Sequence, residues 1–131
     1  MKTYDAEFEH VTTAATVAIY ESSHPIFEGI IREVRELSRK KPEATMSKSK
    51  VTLINRVLAD LLVILKDEPA GNYLEILDDA ALPQVSDAVL VMVQFETALK
   101  AFKIRYYRLF DDVRKHYWVT EELLSKFRSK K

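Results

Sequence analysis

The chain has 131 residues, about one domain's worth, and at 47% hydrophobic and 31% charged it can build a core and is not composed like a disordered chain. Two glycines and four prolines are too few for the corners of a β-sandwich or barrel, and the absence of cysteine excludes disulfides, zinc ribbons, iron–sulfur clusters and thiol catalysis. The formal charge is zero, and without glycine-rich segments there is no P-loop or dinucleotide fingerprint.

The first residues, Met1-Lys2-Thr3-Tyr4-Asp5-Ala6-Glu7, place acids where a signal peptide needs an apolar run. The longest apolar run, Ala88 to Val93, is far short of a membrane span. A soluble cytoplasmic protein with no membrane partner is expected.

The apolar spacing predicts a first helix from about Tyr4 to Glu21, through Tyr4, Phe8, Val11, Ala15 and Ala18. Ser22-Ser23-His24-Pro25 is expected to break it, with Pro25 opening a second helix where its missing N–H costs nothing. Phe27, Ile30, Val34 and Leu37 form that helix's stripe, and Pro42 stops it after the basic run Arg39-Lys40-Lys41. A third helix is predicted after Ser47, a good N-cap, with Val51, Ile54, Leu58, Leu61 and Leu65 on one face. Glu68-Pro69-Ala70-Gly71-Asn72 ends it. One or two helical turns are predicted over Tyr73 to Leu77.

The longest helix is expected from about Ser86 to Lys115, with Ala88, Met92, Phe95, Leu99, Phe102, Tyr106, Leu109 and Val113 in unbroken 4,3 spacing. Thr120 is expected to cap a last short helix carrying Leu123, Leu124 and Phe127. Together these patterns predict an all-α fold: a single domain over residues 1–131, an antiparallel bundle of four long helices plus short ones, with an extended fifth helix. A helix of about 40 Å would overhang its neighbours, so a homodimer is expected. Val89, Val91, Val93, Phe102, Tyr106 and Phe110 are its candidate contacts, or those of another protein partner.

The charge alternates along the chain. Residues 1–31 carry −4, residues 32–56 carry +5, residues 57–99 carry −7 and residues 100–131 carry +6. Either adjacent helices neutralise each other or opposite faces steer partners. In the last block, Lys100, Lys103, Arg105, Tyr107 and Arg108 combine cations with an aromatic ring, the chemistry of phosphate and base recognition. Nucleic acid is therefore an alternative partner, although Asp111 and Asp112 interrupt the strip and no reading motif is present. A second basic zone runs from Arg39 to Lys41 and through Lys48 and Lys50, without glycines to wrap a phosphate.

Carboxylate patterns suggest two metal chemistries. Glu7-x-x-His10 and Glu21-x-x-His24 have the ligand spacing of di-iron bundles, but on one helix they lie about 21 Å apart. Glu33-Val34-Arg35-Glu36 followed by Glu75-Ile76-Leu77-Asp78 resembles the magnesium-binding pattern of the all-helical nucleotide pyrophosphohydrolases. The resemblance implies that Glu33, Glu36, Glu75 and Asp78 would hold Mg²⁺ through oxygen, across a gap of 38 residues that contains a whole helix. No serine has a nucleophile elbow, and His116, in Lys115-His116-Tyr117-Trp118, reads as a packing residue. The preferred expectation is a non-catalytic interaction or regulatory module needing no cofactor.

Overall fold

The computed structural model describes residues 8–129, so Tyr4 to Glu7 of the expected first helix, and Lys130 and Lys131, lie outside it. Phe8 to Thr13 is not helical. Val11, Thr12 and Thr13 are β-branched and favour extended backbone. Thr12 finds a partner there: its N–H donates to Val119 O and its carbonyl accepts from Glu121 N, each at 2.9 Å. Helix α1 (Ala14–Lys40) begins only after Thr13, whose hydroxyl accepts from Thr16 N at 3.2 Å.

The expected break at Pro25 does not occur; α1 runs through it as one helix of 27 residues. An interior proline costs about 3 kcal/mol, because residue i−4 loses its donor and meets the ring. Here that residue is Glu21, and both Glu21 and Pro25 are exposed, so water can hydrate the orphaned carbonyl. The buried stripe Val17, Tyr20, Ser23, Phe27, Ile31, Val34 continues across the proline. Each large apolar member stabilises by roughly 1.5–3 kcal/mol, so continuity of the stripe wins over the local penalty.

Helix α2 (Lys48–Leu65) starts as expected, with the Ser47 hydroxyl accepting from Lys50 N at 3.3 Å, and buries all five predicted stripe residues. A 3-10 turn over Pro69–Tyr73 follows. The predicted turns after Tyr73 are absent: residues 74–78 form neither helix nor strand, and Asn55 on α2 binds both backbone groups of Leu77. Its amide donates to Leu77 O at 2.8 Å and its Oδ1 accepts from Leu77 N at 2.9 Å.

Helix α3 (Val85–Tyr106) is the first part of the expected long helix. It stops at Tyr106, and strands β1 (Tyr107–Phe110) and β2 (Lys115–Trp118) form an antiparallel hairpin. Tyr-Arg-Leu-Phe and Lys-His-Tyr-Trp are rich in aromatic β formers, and the hairpin is fastened by Val119 N donating to Tyr106 O at 2.7 Å. The hairpin buries Phe110 completely (0% exposed), against the ring of Phe8. Helix α4 (Glu121–Ser129) follows, capped as expected by Thr120, whose hydroxyl accepts from Leu123 N at 3.0 Å.

The architecture is therefore mostly helical with a two-stranded sheet, and among the described residues three helices are long and one is short. Helix α1 packs against both α2 and α3 around the main core, which includes Phe27, Leu58, Leu61, Phe95 and Phe102. A second cluster joins Phe8, Phe110, Val119 and Leu124, with the Phe8 and Phe110 rings stacked at 4.7 Å. Glu122 of α4 accepts from Ala14 N at 2.9 Å, an anion placed at the positive end of α1.

Candidate functional site

Part of the apolar surface left exposed by this packing lies between α1 and α2. The arc of α1 is wider than its neighbours cover: Ile30 and Leu37 are only partly buried, and Ile26 is 57% exposed. Leu53, 52% exposed on α2, stands across from them. Between these walls runs a groove of about 550 Å³ lined by Ile26, Gly29, Ile30, Leu37, Leu53 and Ile54, with Met46 among the buried lining. Its lining carries Glu33 and Glu36 along α1, and Lys40 and Lys50 where α1 ends and α2 begins.

Gly29 is the unusual residue in this wall. Glycine inside a helix costs about 1 kcal/mol relative to alanine, so a helical glycine ordinarily answers a positive φ or a close neighbour. Gly29 has neither: no glycine here has positive φ, and a Cβ built on Gly29 would meet nothing within 4 Å. The missing side chain instead deepens the groove.

The residues expected at an interface fall elsewhere. Phe102, Tyr106 and Phe110 are buried inside the chain, at 1%, 9% and 0% exposure, and offer nothing to a partner. Val89, Val91 and Val93 are half-buried against the main core. The straight overhang that suggested self-pairing is absent, because the chain turns back at Tyr107, although Leu109 and Val113 of the expected seam stay exposed.

The carboxylate quartet is not assembled. Glu33 and Glu36 are exposed on α1, with Glu36 bound to Arg39 at 2.9 Å, whereas Glu75 and Asp78 sit in a segment that is neither helix nor strand. Asp78 Oδ1 accepts from Ala80 N and Ala81 N at 2.8 and 2.9 Å, and these backbone donors hold its carboxyl below the usual range. Among the described residues no group of three or more His, Cys, Asp or Glu could hold a metal ion. Glu7 lies outside the described residues, and His10, on extended chain, meets the Arg105 guanidinium at 3.2 Å.

The basic strip divides. Lys100 and Lys103 are exposed on α3 and, with Tyr107, line a cleft of about 580 Å³ together with Tyr20, His24, Glu28, Ile104 and His116. Arg105 turns away toward His10 and toward Glu68, 3.8 Å from its Nε. Arg108 lies on the opposite face of the hairpin, since Tyr107, Leu109, His116 and Trp118 share one face and Arg108, Phe110, Lys115 and Tyr117 the other. A third cavity, of about 390 Å³, is bridged by Arg35 of α1 and Glu96 of α3. Their two hydrogen bonds, at 2.8 and 3.3 Å, hold the Glu96 carboxyl below the usual glutamate range.

The spacing through Phe27, Ile30, Val34 and Leu37 contains three of the groove's lining residues, Ile30, Val34 and Leu37, but not Ile26, Gly29 or Leu53. Their signal was the surplus of apolar residues on α1, legible only once the helix is known to pass Pro25. Among the described residues no helix is long and apolar enough to cross a membrane. Comparison with family models, with curated proteins and with solved structures found no match to the chain.

Proposed function

We propose that this protein is a non-catalytic interaction module whose α1–α2 groove receives an amphipathic helix from a protein partner. One observation carries the reading: Gly29, with no backbone or packing reason within the chain, leaves room in an apolar groove flanked by exposed Ile26 and Leu53. Small residues let two helix backbones approach closely, and a helix laid in a groove is a recurrent mode of recognition. The charges argue for a helix with bases beside Glu33 and Glu36 and acids beside Lys40 and Lys50.

A second copy of the chain is a poorer occupant. The apolar faces of α1, α2 and α3 are committed to the main core, and those of α4 pack with Phe8 and Phe110. The large apolar residues the helices leave exposed are Ile26 on α1, Leu53 and Val63 on α2, and Leu90 and Ile104 on α3, and within one helix they stand ten or more residues apart.

The test is a selection of displayed amphipathic helical peptides on the whole chain, followed by affinity measurement against Gly29→Leu and Leu53→Asp. The selected peptides should bind at micromolar concentration and lose at least tenfold in affinity, about 1.4 kcal/mol, with both variants still folded. Peptides indifferent to both substitutions would remove the reading. Light scattering of the free chain separates self-association, which would appear as a dimer broken by Leu53→Asp.

A further inference from the structure

The cleft of about 580 Å³ on another face of the molecule has a different chemistry. Lys100 and Lys103 project from α3 at i and i+3, which places them on one side of the helix. Neither forms an ion pair within 4.0 Å with any described residue. His24 faces the cleft from α1 and His116 from β2. One carboxylate, Glu28, shares the lining and lies 3.6 Å from His24; Glu96, one turn before Lys100, feels the Lys100 charge from outside the lining, and within the cleft the lysines outnumber the carboxylate.

Around these cations the lining is aromatic and apolar. Tyr20 stacks on His24 with centroids 4.9 Å apart, Tyr107 stacks on His116 at 5.4 Å, and Lys103 Nζ lies 5.1 Å from the Tyr107 centroid. Ile104 is 74% exposed between the two lysine-bearing turns and the hairpin. Ordinary solvated lysines need neither stacked imidazoles nor an uncovered isoleucine beside them.

From this juxtaposition we infer that the cleft binds a nucleotide, with Lys100 and Lys103 on the phosphate and the imidazole and Ile104 surfaces against the base. Ammonium groups donate to phosphate oxygens, and every base presents a π-face that can lie on an imidazole or an apolar side chain. The shared chemistry is a phosphate ester joined to a planar base, either free or within a single strand. This site uses no residue of the α1–α2 groove and stands independently of the function proposed above.

The chain's one tryptophan supplies the readout. Trp118 lies directly behind the cleft, 4.9 Å from the Tyr20 ring and 5.2 Å from Tyr107. The whole chain is titrated at low salt with AMP, with inorganic phosphate and with a short oligothymidine, following Trp118 fluorescence. The expected result is saturable binding of AMP or the oligonucleotide, tighter than phosphate, that weakens about tenfold or more in Lys100→Ala/Lys103→Ala. Arg108→Ala, on the other hairpin face, should leave it unchanged, and circular dichroism should find both variants folded.

A strand that binds more tightly than AMP, with affinity falling as roughly the −1.4 power of salt for two neutralised phosphates, identifies single-stranded nucleic acid as the source; AMP binding as well as the strand identifies a free nucleotide. Absence of saturable binding by all three probes overturns the proposal. So does phosphate binding as tight as AMP, or binding that the double lysine variant retains.

Discussion

The hydroxyl of Tyr106 donates a 2.8 Å hydrogen bond to Oε2 of Glu68, tying the last residue of α3 to the turn that follows α2. Arg105 completes the arrangement from the next position. Its buried Nε makes no hydrogen bond but lies 3.8 Å from Glu68 Oε1. The lock sits where α3 gives way to the hairpin.

Burial, and then the hydrogen bond to Glu68, push the Tyr106 phenol up to about 12 from an ordinary 10.0. A value raised on folding means stability that is complete below the unfolded pKa and lost as pH rises through the folded one. The chain should therefore lose stability between about pH 10 and pH 12. Tyr106→Phe should cost about 1–2 kcal/mol at neutral pH and flatten that alkaline decline, as read by urea melts at a series of pH values.

The two glycines should respond with opposite signs. Gly29→Ala adds a Cβ in open space and should stabilise α1 by about 0.5–1 kcal/mol. Gly71→Ala drives its Cβ under 3.0 Å from the carbonyl oxygens of Leu65 and Lys66 and should cost about 1–3 kcal/mol. Thermal melts of the two variants side by side check both.

Asn55→Ala removes both hydrogen bonds to Leu77 and leaves its backbone amide and carbonyl without these partners. A loss of about 2–3 kcal/mol is expected, with hydrogen exchange at Leu77 rising toward that of a free loop. Unchanged exchange there would show that another contact holds the 74–78 segment.

Arg114 adopts φ 54 in the hairpin turn, a left-handed conformation that costs a side-chain-bearing residue roughly 1–2 kcal/mol. Arg114→Gly should raise stability by about 1 kcal/mol. Phe110→Ala should lower it by about 3–5 kcal/mol, because it empties a fully buried site between Phe8 and Phe127. Were α3 to continue as helix to Lys115, neither change would have this effect.

The Arg35–Glu96 pair works at the acid end. Because Arg35 holds the Glu96 carboxyl below its ordinary range, its contribution is present above the usual glutamate pKa and lost as pH falls through the lowered value. Arg35 is 44% exposed, so water screens the pair, and a double-mutant cycle with Glu96→Gln should give less than about 1 kcal/mol.

The sequence by itself determined the elements whose causes are local. Ser47 before an unbroken stripe placed α2, Thr120 placed α4, and Ala88 through Tyr106 placed the body of α3. In each, a side-chain cap or a repeating apolar residue acts within a few positions of the backbone it fixes. Tertiary contacts decided the rest. Pro25 passes unnoticed through α1 because the core on either side of it outweighs one lost hydrogen bond. Residues 107–115 continue the helical period through Leu109 and Val113, and an arginine stands at the turn position where glycine would have announced a hairpin; burial of Phe110 against Phe8, about a hundred residues earlier in the chain, favours the strand. The groove and the cleft are sites of this second kind: single members such as Ile30, Lys100 and Lys103 were legible in the sequence, but each site joins residues on separate elements that only the packing of α1 against α2 and α3 brings together.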